Sequence, residues 1–242
     1  MKEMSTDEYN KGWDTKWDQM KVYGPYARHL RRIIFAMVQS LQFETVLDVG
    51  CGQGSLLADL HNIFPRISLY GTDFSPTSII KARQRLSHGE FLVMDLTRTA
   101  LNRKFDLVVC TDVLEHIEDD ITALSNLARM TNSYVLIATI QGRMRSHEPE
   151  AWGHVRNYAY GELAQKMQQV GLRVVRSVEW GFPFFSPLYR DVNYLLGGRG
   201  TGGQYGILRK TLAQLIYTVF RLNSHVRGDE IFILAEPISP KE

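Results

Sequence analysis

Two cysteines, Cys51 and Cys110, are all that 242 residues contain, which excludes a scaffold stapled by disulfides. No CxxC pair or Cys/His spacing sets out a zinc site, so no metal is expected. No apolar run reaches the roughly 18 residues that a helical membrane span needs, so no integral membrane contact is expected. The opening MKEMSTDEYNKGWDTKWDQM has no apolar core of the secretory kind, and a cytoplasmic setting is the reading that follows. Charge of one sign is scarce as well. Lys and Arg number 28 against 26 Asp and Glu, and a net +2 offers no field to gather nucleic acid. Internal repeats and low-complexity segments are also missing.

What is present is ordinary for a globular protein: 44% hydrophobic and 22% charged residues. The length suits one α/β domain with an insertion. Arg28 to Leu41 has apolar positions at helical spacing, with Pro25 just ahead. From Thr45 the run TVLDVG breaks into the glycine-rich CGQGS, and the helical SLLADLHNIF follows at once. ISLYGTD (67–73), GEFLVMD (89–95), FDLVVCT (105–111) and SYVLIATI (133–140) read as further strands. Helices over 76–86, opened by Ser75 as N-cap, and about 119–130 separate them. Such apolar strands alternating with helices imply a mostly parallel sheet buried on both faces.

The last third differs. A helix over 161–172 and a strand over 173–180 lead to about fifty residues before a final strand at 229–237, long enough to be a cap over the site. This insertion contains GGRGTGGQYG (197–206) and an amphipathic stretch, 207–222, with Leu208, Leu212, Leu215, Ile216, Val219 and Leu222 on one face. Packing on the core is the expectation for that face, with dimer contact or docking on an anionic membrane surface as alternatives. The domain reading is a single unit: an N-terminal helical and aromatic lid (1–40), a core (41–180), the cap (181–228), and the last strand and tail (229–242).

Gly50, Gly52 and Gly54 follow a strand and open a helix, where backbone can approach a ligand and unpaired N–H groups are offered. Three acids sharpen this. Asp48 lies inside the first strand, where an unpaired buried carboxylate is costly. Asp73 closes the second strand, where a Rossmann carboxylate takes ribose hydroxyls. Asp95 closes the third, where it would accept from an adenine amino group. All three converge on the carboxyl edge of the sheet.

These segments, VLDVGCGQGS (46–55), YGTDFS (70–75), VMDL (93–96) and FDLVVCTDVLEHIED (105–119), resemble class I S-adenosylmethionine-dependent methyltransferases over roughly 40–180. The resemblance implies a Rossmann-like fold with a seven-stranded, mostly parallel sheet, an antiparallel last strand and helices on both faces. It implies S-adenosyl-L-methionine as cofactor, S-adenosyl-L-homocysteine as product, and methyl transfer as the activity. By that likeness Asp48 and the loop with Cys51 would hold the methionine part, and Asp73 the ribose. Phe74 would lie against adenine, Asp95 and Leu96 would border the base, and Thr111 and Asp112 would face the methionine end. A nicotinamide oxidoreductase is the rival for the same fold, but its GxGxxG is here GxGxG with Ser55. A scaffold that keeps the fold without turnover is the second alternative.

For catalysis, His116 in LEHIED resembles a family position lining the pocket. His154, Arg156 and Tyr158 alternate in GHVRNYAYGEL and would project together if extended, with His154 as general base and the trio holding an anionic or hydroxylated group. Trp13, Trp17, Tyr23 and Tyr26 would close over the cofactor or pack beneath a helix. Trp17, Tyr23 and Arg156, with Phe182, Phe185 and Arg190 from WGFPFFSPLYRDVNYLL, are the candidate substrate contacts. The partner expected is a small molecule, O- or N-methylated and of secondary-metabolite or sugar- or lipid-linked type. A monomer or homodimer is expected, without nucleic acid.

Overall fold

A computed structural model describes residues 6–195 and 202–238. The first five residues of the glycine-rich stretch (197–201), and the ends of the expected lid and tail, lie outside them. The chain opens with α1 (Thr6–Gly12), a π-helical turn at Trp13–Trp17, α2 (Asp18–Tyr23) and α3 (Pro25–Val38). α3 starts three residues earlier than its apolar spacing suggests, because Pro25 fits the first turn, where no N–H partner is needed.

The core then alternates: β1 (Thr45–Val49), α4 (Ser55–Ile63), β2 (Ser68–Asp73), α5 (Pro76–Arg85), β3 (Glu90–Val93), β4 (Phe105–Thr111), α6 (Asp120–Met130) and β5 (Thr131–Ile140). Ser75 caps α5, its side chain accepting from Ser78 N–H, and Asp119 caps α6 by accepting from Thr122 N–H. After α7 (Glu148–Trp152) and α8 (Glu162–Gln169) come β6 (Leu172–Trp180), α9 (Arg190–Leu195), α10 (Ile207–Phe220) and β7 (Glu230–Pro237).

One seven-stranded sheet has the order β3-β2-β1-β4-β5-β7-β6. β1 to β5 pair in parallel, while β7 slots antiparallel between β5 and β6. Alternate strand residues feed two cores. Val46, Leu107, Val109 and Phe232 pack with α3 and α4 on one face, and Leu47, Val108, Ile137 and Ile233 pack with α6 and α8 on the other. Burial on both faces is why these strands read as continuous apolar runs. The carboxyl ends of the parallel strands reach one edge, where strand order reverses between β1 and β4, the place where open α/β sheets bind ligands.

α10 departs from expectation. Ala213 and Phe220 are buried, and Phe220 packs on Trp180 and Phe185, but the leucine face points outward, with Leu208 88% and Leu215 60% exposed. The helix therefore packs on the core through its other side.

Candidate functional site

The loop after β1 is shaped by what its neighbours leave room for. Gly50 (φ +78°) and Gly52 (φ +53°) adopt left-handed backbone, which favours glycine. A Cβ on Gly50 would lie 2.2 Å from Val113 Cγ2, and one on Gly52 2.3 Å from the Trp13 ring. Gly54, also left-handed, is the residue from which α4 starts, and it does not line the cleft above the loop.

That cleft, of about 220 Å³, gathers the other expected cofactor residues. β1 and its loop contribute Asp48, Gly50, Cys51 and Gly52; the end of β2 contributes Asp73 and Phe74. Asp95 and Leu96 border it from beyond β3, and Thr111 and Asp112 from the end of β4. Asp95 lies past its strand, in a turn where its Oδ1 accepts from Thr97 N–H (2.9 Å) and Thr97 Oγ1 (2.6 Å). Asp73 is buried, its carboxylate accepting from Gly52 N–H and Ser75 N–H, each at 2.9 Å. Burial outweighs these bonds and raises its pKa. Asp48 is more exposed to that penalty, because its Oδ1 is buried without a partner among the described residues. Burial first, then the Asp73 charge, push it up to about 7.

Asp112 is the one non-glycine residue with left-handed backbone among the described residues, φ +53°. Strain of this kind persists only where the surroundings hold it. Lys21 Nζ (2.7 Å) and Tyr26 Oη (2.7 Å) both donate to its carboxylate. Burial would raise its pKa, but the Lys21 charge and these bonds prevail and bring it below the usual range.

A second cavity of about 190 Å³ opens beside the cleft. The two share Tyr9, Trp13, Lys21, Ala27, Asp112 and His116, so they meet at the Asp112 end. Trp17, His154, Phe185 and Arg190 line the second cavity. His116 Nδ1 lies 3.1 Å from the Gly153 carbonyl. A carbonyl only accepts, so Nδ1 carries the proton and Nε2 keeps its lone pair. Burial, then the neighbouring His116, push His154 down to about 3, and burial also lowers His116. Both rings are neutral near pH 7. Glu115, His116 and His154 bring one donor atom each within 4.8 Å of one another, the one such grouping among the described residues.

Four expected contacts belong elsewhere. Tyr158 is fully buried and donates to Asp120 Oδ2 at 2.8 Å, and Arg156 pairs with the same carboxylate at 2.6 Å. The segment is not extended. Gly153 turns left-handed after α7, and Tyr158 N–H donates to Ile140 O, so only His154 faces the cavity. Phe182 lies under Arg227 in a separate surface groove, and Tyr23 packs against Tyr205 and Lys210. Arg190 lines the cavity but is paired with Glu148 and with Asp229 (2.7 Å).

The sequence reading passed over Lys21, Glu115, Glu148 and Glu230, all on the second cavity's wall. Glu230 carried a usable signal, an acid opening an apolar strand, akin to Asp48 near the end of one. Lys21 carried none, since a lysine in a polar segment names no partner.

An open sheet with this strand order, an antiparallel strand before the edge, and a glycine loop flanked by acids at the switch point form a nucleotide-type cleft. Residues 47–133 match the family model described as "Methyltransferase domain". The chain is 26% identical to malonyl-[acyl-carrier protein] O-methyltransferase of Anoxybacillus flavithermus over 70% of its length and 63% of that protein's. It is 30% identical to trans-aconitate 2-methyltransferase of Escherichia coli over 43% of its length and 42% of that protein's. The matches thus span less than two thirds of these curated relatives. Among solved structures, the N-methyltransferase NodS from Bradyrhizobium japonicum, in complex with S-adenosyl-l-homocysteine, shares the fold with a TM-score of 0.63. The identity there is 17%, covering 97% of this chain and 99% of that one. The matched segment is a methyltransferase domain, and the fold is that of class I S-adenosylmethionine-dependent methyltransferases.

Proposed function

We propose that the protein transfers a methyl group from S-adenosylmethionine, bound in the first cleft, to a small molecule held in the second cavity. The observation that carries this reading is the meeting of the two cavities at Asp112 and His116. The cleft suits the cofactor on its own chemistry. The orphaned Asp48 Oδ1 asks for a donor such as an ammonium, and the glycine loop presents backbone where a Cβ would not fit. Asp73 has acceptor capacity left for ribose hydroxyls, Phe74 and Leu96 bracket the base, and Asp95 accepts at its edge. Asp48, Cys51 and the loop, with Thr111 and Asp112, hold the methionine portion.

The cofactor supplies a methyl on a sulfonium, whose transfer is an in-line displacement that needs alignment and the exclusion of water more than a strong base. The chain provides these. Tyr9, Trp13 and Trp17 roof the junction, as a lid over 1–40 would, and Trp17 and Phe185 line the acceptor side. His116, with Nε2 unprotonated at the junction, takes a proton where the acceptor must lose one. Residues 181–228 are the cap, supplying Phe185 and Arg190. The relatives' names include carboxylate and amine acceptors, so likeness alone does not choose between them.

Calorimetric titration with S-adenosylmethionine, S-adenosylhomocysteine and NAD tests this. The first two should bind with micromolar affinity and NAD should not, while Asp73→Ala should weaken binding at least severalfold in a folded protein. Binding of NAD alone would overturn the reading.

A further inference from the structure

The wall of the second cavity carries four carboxyl side chains, Asp112, Glu115, Glu148 and Glu230, against two cationic ones, Lys21 and Arg190. Both cations are spoken for. Lys21 is 2.7 Å from Asp112, and Arg190 lies between Glu148 and Asp229. Arg145, beside them, is shared among Glu148, Asp191 and Asp229. Glu115 and Glu230 are left over. Each is buried, 3% exposed, and near one hydroxyl: Thr139 donates to Glu115 (2.7 Å), while the Tyr26 hydroxyl, whose single proton Asp112 competes for at 2.7 Å, lies 3.0 Å from Glu230. Among the described residues neither has a Lys or Arg within ion-pair distance, and the histidine beside Glu115 is neutral. A buried carboxyl without a cation is costly unless something else supplies the charge.

Resting on the reading that the cofactor fills the neighbouring cleft, we propose that the second cavity accepts a protonated amine with an apolar or aromatic body. In it, Glu115 and Glu230 serve as the counter-charges that select the amine over carboxylate acceptors. The rest of the wall fits such a guest. Trp17, Tyr26, Trp152 and Phe185 are aromatic surfaces suited to an apolar body and to cation–π contact with an ammonium. Among the described residues, a carboxylate would find no Lys or Arg on the wall outside an ion pair, and two acids. The burial that raises both glutamates above the usual range is the same cost that an ammonium relieves.

The chemistry closes. The ammonium gives one N–H proton to His116 Nε2 at the junction, and Glu115, 4.0 Å from that nitrogen, balances the charge it gains. The freed nitrogen lone pair then forms the N–CH3 bond as the C–S bond breaks, its electron pair staying on sulfur to leave a neutral thioether. Glu230 keeps its charge opposite the nitrogen, which becomes a cation again.

The test is binding, read separately from turnover. The full chain is saturated with S-adenosylhomocysteine in the presence of a chelator, so that no divalent ion occupies Glu115, His116 and His154. It is then titrated with phenethylamine, phenethyl alcohol and phenylacetate, and with a panel of aliphatic amine, alcohol and carboxylate triplets. Amines should bind at least roughly tenfold more tightly than their matched carboxylates, the smallest difference expected for a desolvated charge pair. Glu230→Gln and Glu115→Gln keep the shape and should each reduce amine affinity while leaving alcohols and S-adenosylhomocysteine unaffected. Carboxylates binding as tightly as amines, no amine binding, or amine affinity unchanged in both variants would overturn the proposal while S-adenosylhomocysteine still binds. Loss of S-adenosylhomocysteine binding by the wild type would instead overturn the cofactor reading.

Discussion

Asp48 shows how one side chain joins stability to function. Its ordinary carboxyl titrates near pH 4 in the unfolded chain, whereas burial moves it to about 7 in the fold. Below pH 4 both states hold the proton and the group costs nothing. Between about 4 and 7 only the unfolded chain releases it, so this residue withdraws stability by up to about 1.4 kcal/mol per pH unit. Glu115, raised to about 8 by burial and then by Asp112, acts in the same direction. Asp48→Asn should therefore gain thermal stability relative to the wild type as pH rises from about 4 to 7, and lose cofactor affinity. Melting curves across that range check the first half; a gap that does not grow with pH contradicts it. Tyr158→Phe is the reverse case. It should cost about 1 kcal/mol, the usual worth of one hydrogen bond, with S-adenosylhomocysteine affinity unchanged, because Asp120 keeps Arg156 and Lys166. Asp48 was legible in the sequence because an acid inside an apolar strand needs a reason. The same reasoning extends to Glu230. The Lys21–Asp112 pair was not legible, since residues 91 positions apart meet only through the fold.

α10 explains why an element can be read correctly and its direction missed. Leu208, Leu212, Leu215, Val219 and Leu222 make one apolar stripe, but Ile216, counted with them from the sequence, packs on the core with Ala213, Tyr217 and Phe220, a second set at the same helical spacing. Periodicity gives a helix in both cases. What decides is tertiary: His29, held by the Tyr217 carbonyl at 2.8 Å, and Trp180 and Phe185 build an aromatic seat that fits Phe220. Phe220→Ala should thus destabilise the protein by about 3 kcal/mol or more. Leu212→Gln and Leu215→Gln should change stability by no more than about 0.5 kcal/mol, as surface substitutions do. Chemical denaturation distinguishes these outcomes. The 153–163 segment failed in a related way: alternation suggested an extended piece, but α7 and the turn at Gly153 send His154 and Tyr158 to different sides.

At the scale of the whole molecule, the N-terminal helices lie across the cleft. α1, the π-helical turn and α2 are pinned across the cleft by Asn10 to Ser75 Oγ (2.6 Å), Asp18 O to Gln53 (2.6 Å) and Lys21 to Asp112. The Tyr9 ring stands 4.5 Å from that of Phe74, over the position assigned to adenine. If this segment acts as a lid, amide exchange over 6–23 should slow on S-adenosylhomocysteine binding while that of β1, β4 and β5 stays unchanged. Equal exchange with and without the ligand contradicts a lid. At this scale the strand runs and the glycine loop with its acids were readable, because local pattern dictates them. The wall of the second cavity was not, being assembled from the N-terminal helices, the turn after β4, α7, α9 and β7.

The central claim is that the cleft and the cavity form one path for a methyl group. A crystal structure of the full chain with S-adenosylhomocysteine tests it most directly. The account predicts the ribose on Asp73, the base between Phe74 and Leu96, and the sulfur beside Asp112 and His116, facing the second cavity. A ligand seated elsewhere, or a sulfur turned away from that cavity, would contradict it.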